Sequence, residues 1–464
     1  MLKAGVGRTD ITPPVGSAHA GWGTQMHQVS DGNDMPLHVT AVALSDGDLS
    51  VAIVDIDILV LRNAQDAEMR TVIADRTDLD PDNIRISYSH THSALNTYSD
   101  LLSEGAEFVN QWLEELPVKA ATAVAEAVGT MVPVVPSFGR GECDININRR
   151  PADSRGDLFT GRDWEGFVDH SVEVVGLDDL EGDPVATLVN YACHPTIMGH
   201  ENRWVTPDFP GPMRRVVEQT VGGTCLFLQG AAGNQGPVDG FTGDLRVYRK
   251  AGAKLGAEAS KIRLASDPFE RKERLVEILA SGADLGIYED EPISEPNDTL
   301  AVSWVDVELP ARDVPSIAEA QVEFDRLAEE LERVQDFGAG ESDVMSAVSR
   351  AKRANVALNV SRNSEGFRKG DVIPVRVQAI RIGNAVLVTM PVEPFAELGA
   401  QIKERSVATN TVFSGFSNGH YAYLPTDEAY EEGGYEVRVT PFAAGSERLA
   451  VDACLEAIER VWEG

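Results

Sequence analysis

The sequence contains little cysteine and few basic residues. Its four cysteines are spread over 464 residues without a CxxC pair, which argues against a disulfide scaffold. Forty Lys and Arg residues stand against 74 Asp and Glu residues, so the formal net charge is −34 at pH 7. A protein of this charge is repelled by nucleic-acid phosphates and by anionic membrane surfaces, and we expect neither as a partner.

Long apolar segments are also missing. No stretch approaches the roughly 18 uncharged apolar residues of a membrane-spanning helix. The first residues, MLKAGVGRTDITPPVG, lack the apolar core of a signal peptide. We therefore expect a cytoplasmic protein that acts on a small-molecule substrate without stable membrane association. A homo-oligomer is compatible with the sequence.

Short β-branched, apolar runs alternate with helical patterns, which predicts an α/β fold. The runs VATLVNYA and AVLVTM are apolar at nearly every position, as is typical of strands covered on both faces. We expect a large, mostly parallel or mixed sheet flanked by helices. The predicted strands are 49–56, 84–88, 185–192, 224–228, 385–390 and 411–416, and the predicted helices are 63–74, 107–128, 212–220, 245–265, 395–405 and 446–462.

Residues 316–359 have a different pattern. Apolar residues recur at three-to-four spacing among many Glu and Arg residues, and the pattern breaks at 338–340. This predicts an exposed helical hairpin inserted into the main fold. Because no repeat or low-complexity linker is visible, we expect residues 1–464 to form a single α/β catalytic domain that carries this insertion.

Polar residues of catalytic or metal-ligand type follow five of the predicted strands. His90 and His92 follow strand 84–88, His194 follows 185–192, and Glu393 follows 385–390. The loops QGAAGNQGP and SNGHYAYLP follow the other two. Ligand sites in open α/β sheets form outside the carboxyl ends of the strands, so we expect these five segments to converge on one crevice.

The histidines and the glutamate form a recognisable ligand set. An HxH pair in an extended chain places both imidazoles on one face, and imidazole is the commonest protein ligand for zinc. Taken alone, the pair is equally compatible with a structural or surface role, and an isolated His194 would be a satisfied core histidine. With Glu393 added, three protein ligands and one open position are typical of catalytic zinc, so we expect one Zn²⁺ per chain.

Five strings in the same order resemble the catalytic domain of the neutral/alkaline, non-lysosomal ceramidase family. They are GVGRTDITPP, SHTHS, NYACHPTIMG, QGAAGNQGP and SNGHYAYLPT…YEEGGYE. The resemblance implies a zinc-dependent amide hydrolase whose metal ligands are His90, His194, Glu393 and Tyr423. It also implies that His92 faces the substrate, where it stabilises the oxyanion or transfers a proton.

The resemblance implies roles for two further residues. NINRR is similar to the family segment that contributes a substrate-contacting arginine, so we expect Arg149 to be catalytic; the alternative is a surface arginine with a carboxylate partner. Asp57 resembles a family acid that either orders the histidine ligands or caps a helix.

The sequence departs from the family at several positions. Gly236 stands where the family has a serine, so a hydroxyl nucleophile is excluded there, whereas a metal-activated water needs no serine. His420 stands where a tyrosine or a small residue is usual, and Tyr421 lies only two residues from Tyr423. We also expect no immunoglobulin-like C-terminal domain of the kind that the family carries.

These departures argue against ceramide, because a lipid with two long alkyl chains needs an apolar trough. We expect hydrolysis of the amide bond of a small or polar N-acyl substrate. A zinc-dependent esterase or deacetylase is one alternative, since both reactions pass through a tetrahedral oxyanion. A catalytically silent, metal-stabilised binding protein is the other, and the missing serine favours it.

Overall fold

The computed structural model describes residues 1–19, 22, 25, 27–95, 97, 104–338, 340–364 and 367–463. Their strands, in chain order, are β1 (Lys3–Asp10), β2 (Gly32–Asn33), β3 (His38–Ser45), β4 (Ser50–Ile56), β5 (Ile84–Tyr88), β6 (Val132–Glu142), β7 (Asn146–Asn148), β8 (Ser171–Asp179), β9 (Pro184–Tyr191), β10 (Trp204–Val205), β11 (Thr224–Gln229), β12 (Gln235–Pro237), β13 (Arg271–Leu279), β14 (Leu285–Pro292), β15 (Leu300–Pro310), β16 (Val372–Ile382), β17 (Ala385–Thr389), β18 (Glu393–Pro394), β19 (Asn410–Ser414) and β20 (Tyr423–Leu424). The helices are α1 (Asn63–Thr77), α2 (Ala106–Gly129), α3 (Pro210–Thr220), α4 (Leu245–Ala265), α5 (Ile317–Asp336), α6 (Glu341–Asn363), α7 (Ala396–Arg405), α8 (Ala429–Glu432), α9 (Tyr435–Val439) and α10 (Ser446–Glu463).

Two sheets form the centre of the molecule. One has eight strands in the order β11-β9-β8-β6-β1-β3-β4-β5, and the other has four in the order β15-β16-β17-β19. Three neighbouring pairs, β9 with β11, β4 with β5, and β17 with β19, are parallel. The other pairs in these two sheets are antiparallel. The predicted α/β fold with a large mixed sheet and flanking helices is confirmed.

The sheets pack face to face, with helices on the two outer faces. Alternate residues of β3 show this arrangement, because side chains along a strand point to opposite faces. Val42 and Leu44 join a core that includes Ile380 and Leu387 of the smaller sheet, whereas Val39 packs towards the helices. The long apolar runs in the sequence therefore reflect burial of the strands on both faces. In this protein, antiparallel strands are buried in this way as well as parallel ones.

The six predicted strands and six predicted helices are all present, with ends shifted by three residues at most. The helical hairpin is confirmed as α5 and α6, whose contact includes Phe324, Leu327 and Leu358. Ser316 caps α5 and accepts a hydrogen bond from the backbone N–H of Glu319. Among the described residues, none of the helices is both long enough and apolar enough to span a bilayer.

Strand β6 shows why some strands were not predicted. Its sequence, VPVVPSFGRGE, contains prolines and glycines that are typical of loops. A Cβ atom at Gly139 would lie 2.5 Å from Cγ2 of Ile262 in α4, and one at Gly141 would lie 2.8 Å from Cδ1 of the same residue. Gly139 therefore allows the close approach of α4, a contact that only the tertiary structure reveals.

A buried ion-pair cluster joins the carboxyl end of β4 to α3. Arg214 donates to Asp55 Oδ2 at 3.0 Å and to both carboxylate oxygens of Asp57 at 2.7 and 2.6 Å. Asp57 also accepts the backbone N–H of His38. The expectation that Asp57 orders the histidines or caps a helix is therefore wrong. Burial raises the pKa of Asp55 to about 7 although Arg214 opposes the shift.

We expect Arg214→Met to reduce the free energy of unfolding by about 3–5 kcal/mol, because it leaves two buried carboxylates without their cation. The neighbouring Arg215 is exposed, so Arg215→Met should change it by no more than about 0.5 kcal/mol. Urea denaturation of both variants measures the difference. Equal losses in the two variants would contradict a stabilising role for the cluster.

Candidate active site

The predicted site residues lie where the two sheets meet. His90 follows β5 and His194 follows β9, both of the eight-stranded sheet. Glu393 and Tyr423 come from segments that follow strands of the four-stranded sheet, and they are direct partners in the parallel pair β18 and β20. The five segments thus converge, but on a junction between two sheets and not on the edge of one.

Three ligand-type atoms gather at this junction. Glu393 Oε2 lies 3.6 Å from His90 Nε2 and 3.3 Å from His194 Nε2. Two ligands held about 2.0–2.1 Å from one tetrahedral zinc ion are separated by roughly 3.3 Å. The spacing in the structure therefore fits a metal ion bound by these atoms.

The other nitrogen of each of these histidines faces a backbone carbonyl. His90 Nδ1 lies 2.8 Å from Leu59 O, and His194 Nδ1 lies 2.6 Å from Ala232 O. A carbonyl oxygen can only accept, so Nδ1 carries the proton and Nε2 keeps its lone pair. This is the orientation that metal-binding histidines usually have.

Two of the gathered atoms are buried without a hydrogen-bond partner. Within the described part of the chain, His194 Nε2 and Glu393 Oε2 have no donor or acceptor assigned to them. Leaving such atoms unsatisfied costs about 1–3 kcal/mol each, so buried polar atoms are normally paired. A bound cation would satisfy both atoms.

His92 belongs to the same cluster but differs from the other two histidines. One ring nitrogen from each of His90, His92 and His194 lies within 4.8 Å of the others, so three imidazoles are an alternative ligand set. However, no backbone carbonyl or other group among the described residues holds the second ring nitrogen of His92, as Leu59 O and Ala232 O do for His90 and His194. His92 is also partly exposed, and its ring lies 5.2 Å from that of Trp22. These features distinguish His92 from the other two histidines, although both of its ring nitrogens are buried.

Burial sets the charge states of the cluster. It lowers the pKa of His90 to about 3 and that of His92 well below its usual value, so both imidazoles are neutral at neutral pH. Burial would raise the pKa of Glu393, but the hydrogen bond donated by His420 opposes this, and that pKa lies well below its usual value. The site therefore presents neutral imidazoles and an ionised carboxylate, the forms that bind metals.

Arg149 lies inside the site, and so the alternative of a surface arginine is wrong. Its Nη2 donates to Tyr423 Oη at 3.0 Å, and its Nε donates to Glu436 Oε1 at 3.1 Å. Burial and the charge of Glu393 raise the pKa of Tyr423 well above its usual value, so the phenol keeps its proton. Gly236 adjoins this group: a Cβ there would lie 3.3 Å from Arg149 Cβ.

Sequence reasoning missed two residues of the site. His420 is buried, and its Nε2 donates a hydrogen bond to Glu393 Oε1 at 2.9 Å. In the sequence it stands out only as a departure from the family, and no role was predicted for it. Trp22 packs between His92 and Phe241, with ring centroids 5.2 and 5.5 Å away. No local signal distinguishes this tryptophan, because its partners are distant in sequence.

Several backbone conformations around the site are ones that side chains rarely adopt. His90, Phe416, Asn418 and Ala422 all have φ between +52° and +65°. Such conformations cost of order 1–3 kcal/mol each and persist only where the surrounding structure imposes them. Their concentration here is typical of functional sites.

Comparisons with known proteins identify the fold and the family. The chain is similar to the crystal structure of neutral ceramidase from Pseudomonas aeruginosa, with a TM-score of 0.68 and 18% identity over 99% of this chain and 75% of that one. A ceramidase structure complexed with C2 gives a TM-score of 0.65 and 17% identity over the same shares. At these identities the likeness shows the fold alone.

Residues 2–242, just over half of the chain, match the family model "Neutral/alkaline non-lysosomal ceramidase, N-terminal". The chain therefore belongs to the neutral/alkaline non-lysosomal ceramidase family, which implies a hydrolase of amide C–N bonds.

Proposed function

We propose that this chain is a zinc-dependent hydrolase that cleaves the amide bond of a small or polar N-acyl substrate. The observation that carries the proposal is the convergence of His90 Nε2, His194 Nε2 and Glu393 Oε2, with both Nδ1 atoms directed at backbone carbonyls. Family membership supports amide hydrolysis, and the donor set supports zinc.

His90, His194 and Glu393 would hold the ion. Tyr423, which the family resemblance gives as a fourth ligand, keeps its phenol proton because its pKa is raised, so in this proposal it donates to the substrate and the fourth position stays open for water. A zinc ion bound by these residues would supply the Lewis acidity needed to activate water near neutral pH and to polarise an acyl carbonyl. The two imidazoles are held in the correct tautomer by Leu59 and Ala232. This arrangement needs no serine, so Gly236 is compatible with it.

His92 is the residue placed to move a proton. It is neutral at neutral pH and has no competing hydrogen-bond partner among the described residues. It can therefore take a proton from the attacking water at one ring nitrogen and return it to the leaving amine nitrogen.

Tyr423 and Arg149 are placed to stabilise the developing oxyanion. Arg149 can only donate to Tyr423 Oη, so the phenol proton of Tyr423 remains available for a substrate oxygen. Glu436 binds both Arg149 and Arg150 and fixes the guanidinium of Arg149 in this orientation. Preorganised donors of this kind are a major source of catalysis in acyl transfer.

The preference for a small or polar substrate rests on charge and on the shape of the exposed side. A net charge of −34 opposes contact with anionic lipid surfaces. His92, the partly exposed histidine, is bordered by Trp22, which itself packs on Phe241. These two aromatic rings are the apolar groups that stack beside His92 on this side of the site in the described part of the chain.

Metal analysis tests the ligand assignment. We expect the wild-type chain to hold about one equivalent of zinc, and His194→Ala to lose most of it because it removes a buried ligand atom. His200 is exposed, so His200→Ala is the matched control and should keep its zinc. If His194→Ala and His200→Ala retain zinc equally after dialysis, the assignment is wrong.

His92→Ala separates a substrate-facing role from ligation. We expect kcat to fall by about 10²- to 10⁴-fold, as for loss of a general acid–base group, while the zinc content stays at the wild-type level. Elemental analysis and steady-state kinetics on the same preparation give both values. Loss of zinc in this variant would make His92 a ligand instead.

Paired substrates test the reaction itself. We expect faster release of amine from a short, polar N-acyl amide than from ceramide in detergent, because the charge of the protein opposes a lipid aggregate. An ester with the same acyl group serves as the comparison for the esterase alternative. Turnover of ceramide alone would refute the substrate preference, and no turnover of any acyl compound would favour a binding protein.

A further inference from the structure

The carboxylate of Glu393 is held at both of its oxygens. Oε2 faces Nε2 of His90 and His194, at 3.6 and 3.3 Å, and Oε1 accepts a hydrogen bond of 2.9 Å from Nε2 of His420. A carboxylate group can rotate about the last bond of its side chain. If only one of its oxygens were held, the orientation of the carboxylate plane would not be fixed. The hydrogen bond from His420 fixes that plane and leaves Oε2 directed at the other two histidines.

His420 is itself held in place by α1. Its backbone N–H donates to Oδ1 of Asn63, the first residue of α1, at 2.7 Å. The preceding Gly419 has φ +115°, and a Cβ there would lie 2.7 Å from the same Asn63 oxygen. Glycine is therefore required at 419 both for the backbone conformation and for this contact.

The segment from Leu59 to Asn63, at the start of α1, also orients His90. Leu59, four residues before Asn63, provides the carbonyl that faces His90 Nδ1. The orientation of His90 and, through His420, the orientation of Glu393 are thus set from the same short segment.

We propose that His420 is a positioning residue: its hydrogen bond to Glu393 Oε1 orients the carboxylate for metal binding and increases the affinity of the site for zinc. The inference rests on the proposed function, because it takes Glu393 as a ligand. Hydrogen-bond partners of metal ligands typically change metal affinity by about 10- to 100-fold when they are removed.

Two variants of position 420 separate the hydrogen bond from the packing. His420→Phe fills a similar volume without a donor, whereas His420→Gln keeps an N–H that can reach Glu393. Zinc affinity is measured on the zinc-free full chain by competition with a chromophoric chelator. We expect His420→Phe to bind zinc about 10- to 100-fold more weakly and His420→Gln to recover most of that loss. The melting temperatures of the zinc-free variants report whether the fold is intact.

The outcomes distinguish this inference from the function on which it rests. Wild-type affinity in His420→Phe, or an equal loss in the Gln and Phe variants with unchanged melting temperatures, would overturn the role of the hydrogen bond. Absence of zinc binding in the wild-type chain would overturn the proposed function itself. If His420→Phe fails to fold, His420→Ala replaces it in the comparison with His420→Gln, with the same expected order.

Discussion

The buried carboxylate of Glu393 is the group on which the site depends. An ionised acid inside a protein is costly unless several groups compensate for it. Here His420 donates a hydrogen bond to Oε1, whereas Oε2 faces the unprotonated Nε2 atoms of His90 and His194, so a cation bound between these three atoms would supply the remaining compensation. His90 and His194 come from the larger sheet, and Glu393 and His420 from segments that follow the smaller one. The cluster forms only when the two sheets pack together.

The proposed function gives the histidines of the cluster separate roles, and they differ in the group that faces the second ring nitrogen. For His90 and His194 a backbone carbonyl faces Nδ1, so Nε2 points inward with its lone pair available. His92 has no such partner among the described residues, and Trp22 borders it instead. Under the proposed function, the same residue type would provide both metal ligands and a proton carrier, because its surroundings differ.

The fold gives this cluster a rigid support. The two sheets share one apolar core, so the loops that carry the site residues emerge from strands buried on both faces. Rigid support also explains how uncommon backbone conformations persist at His90 and Phe416. Arg149 is held in place in a similar way, because Glu436 and Tyr423 fix its buried guanidinium beside the cluster.

Much of the secondary structure was predictable from local patterns. Apolar runs and helical periodicity identified β9, β17 and the hairpin of α5 and α6, because both signals are contained within short segments. Strand β6 was missed, since its glycines serve contacts with α4 that no local pattern contains.

For the site, the sequence alone pointed to His90, His194 and Glu393, because each follows a recognisable strand. Tyr423 and Arg149 came only from the family resemblance. Tertiary structure decided the rest: Asp57 binds Arg214, His420 binds Glu393, and Trp22 borders His92. These contacts join residues far apart in the chain. Which side chains meet across such distances depends on how the sheets and loops pack, and not on the residues next to each one.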